Sequence, residues 1–135
     1  MVANVNTEGA WQGSACPRVL VIDDDAELRS TLGETLTAAG YTVLLAADGD
    51  EAAPYFENIP PDVVVTDIFM PNKDGLDVIV DLRKAFPWVR VIAMSGNPSK
   101  ENLLHTASLI GAVETIAKPF LPNRLLTAVR TVLQD

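Results

Sequence analysis

The feature that most constrains the fold is a repeated switch of hydrophobic period. Five short apolar runs alternate with helical segments, in four of which apolar residues recur every three or four positions. The runs are Val19–Ile22, Tyr41–Leu45, Val63–Val65, Val89–Met94 and the weaker Val113–Ala117. They read as strands buried on both faces. Between them, Leu28, Leu32, Leu36 and Ala39 mark a first helix, with Gly40 placed to end it. Asp48-Gly49-Asp50 opens a short second helix to about Asn58, which Pro54 should shorten or kink. Leu76, Ile79, Leu82 and Phe86 mark a third helix stopped before Pro87. Leu103, Ala107 and Ile110 mark a fourth, capped by Asn97-Pro98 and ended at Gly111. Leu125, Val129 and Val132 carry the last helix to the C-terminus.

Strand and helix alternating through short loops specify a parallel sheet with helices on both faces. Right-handed crossovers then bring every strand's C-terminal end to one edge, where ligands of such sheets bind. The expected architecture is a doubly wound, flavodoxin-like α/β sheet of five strands in the order 2-1-3-4-5. Residues 18–135 would form this one domain. Residues 1–17, without Lys or Arg and carrying Asn4, Asn6, Thr7, Glu8, Gln12 and Ser14, read as a disordered or weakly ordered extension in which Trp11 has no assignable partner.

The polar residues collect at the strand ends. Asp23, Asp24 and Asp25 end the first strand, Asp67 the third, Ser95 the fourth and Lys118 the fifth. In the expected order the first and third strands are neighbours, so Asp23, Asp24 and Asp67 meet. Three carboxylates so close repel, which raises at least one pKa unless a cation neutralises them. Hard oxygen ligands of this kind suit Mg²⁺. A carboxylate nucleophile, a divalent metal, a hydroxyl and a lysine are the parts of phosphoryl transfer to an aspartate.

Single residues have plainer readings. Asp25 suits an N-cap better than a ligand, and Asp74-Gly75 suit a cap and turn without chemistry. Ser95 alone would be a turn serine, and Lys118 alone a solvated lysine. His105 reads as a surface residue and Cys16 as an exposed thiol with no base nearby in sequence. The apolar excess at Val78-Ile79-Val80, Leu103-Leu104, Leu125-Leu126 and Leu133 reads first as core packing, and otherwise as a partner surface.

Four segments together resemble the receiver domains of two-component response regulators, over roughly Arg18 to Leu133. They are Val19-Leu20-Val21-Ile22-Asp23-Asp24-Asp25, Pro61 to Pro71 with Asp74-Gly75, Ile92-Ala93-Met94-Ser95-Gly96, and Lys118-Pro119-Phe120. The resemblance implies Asp67 as the phosphorylated nucleophile, with Ser95 and Lys118 binding the phosphoryl group. It implies Mg²⁺ held by Asp24 and Asp67, by Asp23 through water, and by the Phe69 carbonyl. It also implies a cis peptide at Lys118-Pro119. Ser95 would act as the switch together with the position three residues before the lysine. There the family often has an aromatic ring and this chain has Thr115. Leu121 likewise stands where a Ser or Thr cap is usual. The implied partners are a sensor histidine kinase or histidine phosphotransfer protein, a downstream protein target, and a second copy of the chain in a phosphorylation-dependent homodimer.

Composition bounds the alternatives. The net charge is −8, which argues against nucleic acid or an anionic membrane as a direct partner. One cysteine excludes an internal disulfide and fits a reducing, cytoplasmic setting. No apolar run approaches the roughly 18 residues of a membrane span. With 135 residues, the chain is expected to be a stand-alone signalling receiver rather than an enzyme, without room for a DNA-binding output domain. Asp23-x-Asp25 after a strand also resembles the nucleophile motif of haloacid-dehalogenase-like phosphohydrolases. Those enzymes need an acidic pair after the lysine, and only Asp135 follows Lys118. A flavodoxin-type FMN carrier would need a phosphate loop where the three aspartates stand.

Overall fold

The computed structural model describes residues 16–57, 59–70, 75–96 and 101–134, without the side chains of 101–103. Its strands are β1 (Arg18–Ile22), β2 (Thr42–Ala46), β3 (Val63–Asp67), β4 (Arg90–Ser95) and β5 (Glu114–Ala117). Its helices are α1 (Ala26–Ala38), α2 (Gly49–Ala52), α3 (Gly75–Ala85), α4 (Glu101–Ile110) and α5 (Pro122–Gln134). All strand pairs are parallel and the order is β2-β1-β3-β4-β5, the doubly wound flavodoxin-like arrangement expected.

The period-2 alternation of a strand sorts each run onto two faces. Val19, Val21, Val63, Val65, Ile92 and Met94 point to one, under Leu32 and Leu36 of α1 and Leu125, Val129 and Val132 of α5. Leu20, Ile22, Val64, Val91 and Ala93 point to the other, under α2, α3 and α4. Both faces are covered, which is why the central runs show no polar alternation. Val78, Ile79, Leu125 and Leu133 are buried, and Leu104 and Leu126 pack partly against the core. Most of the apolar excess on these helices is therefore core.

Local chemistry sets the element ends. The Asp25 carboxylate accepts from the backbone N–H of Glu27 and Leu28, at 3.0 and 3.2 Å, and starts α1. Gly40, at φ 100°, makes the left-handed step after it. The Asp48 carboxylate caps α2.

Several boundaries differ from expectation. The α-helix after Asp48 ends at Ala52, and a 3-10 turn over Ala53–Phe56 follows. Pro54 has no N–H to donate and its ring crowds the preceding turn, so the regular helix stops there. Strand β2 starts at Thr42, one residue late, because the Tyr41 N–H still bonds the Leu36 carbonyl of α1. Strand β5 starts at Glu114, after exposed Val113. Of the expected extension, residues 1–15 lie outside the described residues. Pro17, assigned to it, is buried, and its carbonyl accepts from the Thr42 N–H at 3.0 Å. Also outside the described residues are Asn58, the Pro71–Asp74 loop, the Asn97-Pro98 cap, the Leu103 side chain and Asp135. No helix among the described residues is long and apolar enough to cross a membrane.

Candidate functional site

Register alone assembles the site. Ile22 pairs with Thr66, so one step further Asp23 and Asp67 stand side by side at the sheet edge. Asp67 pairs with Met94 and Ser95 with Ala117, so Ser95 and Lys118 fall next in line across β4 and β5. Carboxylate oxygens of Asp23, Asp24 and Asp67 lie within 4.8 Å of one another.

The three acids differ in setting. Asp23 is fully buried; its Oδ1 accepts from the Asp25 N–H at 2.9 Å and its Oδ2 from Lys118 Nζ at 2.7 Å. Its carbonyl accepts from Arg29 at 2.7 Å. Asp67 is buried too; its Oδ2 meets Lys118 Nζ at 3.2 Å and its Oδ1 accepts from the Phe69 N–H at 3.3 Å. Asp24 is exposed. One ammonium is thus shared between the two buried acids, and the third faces solvent.

Burial pushes the Asp67 carboxyl above the usual carboxylate range; Lys118 opposes this and the Asp23 charge adds to it. A raised pKa was expected from carboxylate repulsion, but desolvation is the larger cause. For Lys118, burial pulls the pKa down. The hydrogen bond to Asp23 and the charges of Asp67 and Asp23 outweigh it, so the ammonium is held more firmly than usual.

Ser95 is buried, and its Oγ has no hydrogen-bond partner among the described residues. A buried hydroxyl without a partner is costly, so this one is poised to donate to a group arriving at the edge. The Lys118 N–H bonds the Ser95 carbonyl at 2.8 Å, and the Lys118-Pro119 peptide is cis. Thr115 sits in β5 opposite Ala93, and its carbonyl accepts from Arg124 at 3.3 Å. Phe69, whose carbonyl was expected to face a metal, follows β3 by two residues with its ring exposed.

Two glycines at the site were not singled out by sequence reasoning for their space. Gly75 opens α3 against the backbone of the Asp67 strand end. A Cβ there would press on the Asp67 carbonyl and come within 2.8 Å of Ile68 Cα. Gly96 follows Ser95, and a Cβ there would lie 2.8 Å from the Lys118 Cβ. The Asp74-Gly75 pair carried only a turn signal, since a close backbone approach leaves no mark on hydrophobic period.

The comparisons with known proteins agree with this geometry. The model of the response regulator receiver domain matches residues 19–130. The chain is 39% identical over 119 residues to the probable transcriptional regulator ycf27 of Porphyridium aerugineum, covering 87% of this chain and 48% of that protein. It is 36% identical over 116 residues to the chemotaxis protein CheY of Thermotoga maritima, covering 85% and 96%. It thus spans about half the length of the regulators it matches and nearly all of that CheY. Among solved structures, a CheY-like receiver domain protein from Methanospirillum hungatei superposes with a TM-score of 0.80 at 30% identity, over 88% of this chain and 94% of that one. NtrX from Brucella abortus gives 0.81 at 28% identity, over 87% and 27%. No finding supports the phosphohydrolase alternative. With the acidic pair, the third-strand aspartate, the orphaned serine and the bridging lysine in register on one sheet edge, the chain belongs to the receiver domain family of response regulators.

Proposed function

We propose that this chain accepts a phosphoryl group on Asp67, in a Mg²⁺-dependent reaction, from a sensor histidine kinase or a histidine phosphotransfer protein. The observation that carries the reading is the pairing of Asp67 with Lys118 beside a buried Ser95 hydroxyl that has no partner among the described residues. It fits a cytoplasmic signalling module rather than a metabolic enzyme, and the −8 charge favours protein partners over nucleic acid.

The donor set fits the metal. Three carboxylates with oxygens within 4.8 Å are hard ligands of the kind Mg²⁺ takes. Asp24 and Asp67 would hold it by side chain and Phe69 by its carbonyl. Asp23, with both oxygens engaged, would act through water. When bound, Mg²⁺ supplies the positive charge that offsets both the crowded acids and the phosphoryl oxygens.

In the transfer, an Asp67 carboxylate oxygen attacks the phosphorus of the donor's phosphohistidine. The new P–O bond forms as the P–N bond breaks and the imidazole leaves. Asp67 must be ionised to attack, and Lys118 keeps it so against the cost of burial. Lys118 and Ser95 then hold the phosphoryl oxygens by charge and hydrogen bond. Ser95 gains partners only in the phosphorylated state, which gives the bound group a differential hold on β4. The change would be read on the face of α4, β5 and α5, where Leu109, Val113 and Leu121 are exposed, by a downstream protein or a second phosphorylated copy.

The test is incubation with acetyl phosphate and Mg²⁺ followed by intact mass. A gain of about 80 Da is expected, and none for Asp67→Asn. Full labelling of the Asn variant overturns the reading.

A further inference from the structure

The shortened second helix leaves a space that the phosphoacceptor chemistry does not use. Where Pro54 ends α2, Ala52, Ala53 and Phe56 face Asp81, Ala85 and Phe86 across a mostly apolar groove with a cavity of about 200 Å³. An aromatic chain continues it to the surface. Phe56 and Phe86 stack at 5.3 Å, and Phe86 meets Trp88 edge-on at 5.6 Å. Trp88 is 61% exposed, and Ile59, which follows Phe56 after a short step in the chain, is 62% exposed. Both lie apart from the α4, β5 and α5 face.

We propose that this groove docks a basic amphipathic helix of a partner protein. The cavity is below the roughly 300–1,000 Å³ of small-ligand sites, so it suits one or two apolar anchor side chains rather than a cofactor. Its walls are helical, and the helix-in-groove mode uses such anchors at i, i+3 and i+4. The charge selects the partner. Asp50, Glu51 and Glu57 are exposed on and beside the short helix, a stretch without Lys or Arg, while α3 sets Asp77 and Asp81 against Arg83 and Lys84. A second copy would set these acids against themselves, and an anionic lipid surface would be repelled. Lysines or arginines flanking the anchors would be attracted, and an exposed tryptophan beside a pocket is the residue type that dominates such interfaces.

The test uses Trp88 as reporter, in a Trp11→Phe chain where it is the only tryptophan. The probe is an 18-residue Leu/Lys amphipathic helical peptide. A Leu/Glu peptide and a Leu/Lys peptide of scrambled periodicity serve as controls. Saturable binding with a blue shift of Trp88 emission is expected for the first peptide alone. Ala53→Phe and Ala85→Phe, at exposed positions of the lining, should each fill the groove and weaken binding at least tenfold. Circular dichroism and melting report that they fold. Asp50→Asn with Glu57→Gln provides a second route that leaves the lining intact, and should weaken binding severalfold. No binding overturns the proposal. So does equal binding by the scrambled peptide, or by both filled variants, because the peptide would then be adhering to the −8 surface at large.

Discussion

The sheet edge holds three acidic side chains and one lysine, and Lys118 is shared between Asp23 at 2.7 Å and Asp67 at 3.2 Å. Which acids converge was legible in the sequence, because each ends a strand and a parallel sheet brings all such ends together. How the one positive charge is divided was not, since that depends on a side-chain path 95 residues away from Asp23. The division has a measurable consequence. Lys118 lowers the Asp67 pKa against desolvation and the Asp23 charge. Lys118→Met removes that opposition, so the Asp67 midpoint, followed by carboxylate ¹³C shifts, should rise further. An unchanged or lower midpoint contradicts the assignment. The sign for stability differs between the partners. Folding favours protonated Asp67, so its charge costs stability as pH rises from its ordinary 3.8 through the raised folded value. Lys118 stabilises fully below its ordinary 10.5, and that is lost as pH rises through its raised folded pKa. Denaturant melts at pH 8 and pH 11 should show an alkaline loss in wild type that is smaller in Lys118→Met.

At the scale of elements, hydrophobic period located the five strands and four of the helices, a cap cluster marked the second helix, and the boundaries followed particular hydrogen bonds. Tyr41 reads as strand because it is aromatic and precedes a β-branched run, yet its N–H closes α1. The junction of β3 with α3 was the least legible part of the site. Gly75 looks like any turn glycine, but the space for its Cβ is taken by the backbone of Asp67 and Ile68. Backbone cannot swing aside as a side chain can, so Gly75→Ala should cost about 1–3 kcal/mol by overpacking. It should also slow acetyl phosphate labelling, because Asp67 is the residue displaced. Denaturant melts and labelling time courses check both, and wild-type values would show that the helix simply shifts away. Strand β5 carries a second prediction. Ser95 has a reason to move toward a phosphoryl group, but Thr115 offers no ring to follow it, and its carbonyl is tied to Arg124. Amide shift changes on phosphorylation should be large at Ser95 and Gly96 and small at Thr115. The reverse pattern would mean that β5 carries the switch.

For the whole molecule, the proposed metal site would couple Mg²⁺ binding to folding. The strand order was legible because five alternating units leave few right-handed parallel arrangements, and the meeting of the acids followed from it. The unequal settings of the acids were not legible, since Asp23 and Asp24 are adjacent in sequence and both end the same strand. The structure separates them. Asp23 is buried with both oxygens bonded, whereas Asp24 is exposed. Asp24→Asn should therefore change the metal-free stability by no more than about 0.5 kcal/mol, as surface substitutions do. Asp23→Asn leaves the buried Lys118 ammonium with a poorer partner and should cost about 1–3 kcal/mol. If Mg²⁺ binds the folded edge as proposed, then at 100 times its Kd it should stabilise wild type by about 2.7 kcal/mol, or roughly 10 °C in Tm. Both variants lose a charged group at the metal site, so both should show a smaller Mg²⁺ shift from different starting stabilities. The measurement is a set of melting curves for the three proteins across a Mg²⁺ titration. If Asp24→Asn lowers the metal-free Tm as much as Asp23→Asn and keeps the full Mg²⁺ shift, Asp24 is a structural residue and the metal lies elsewhere.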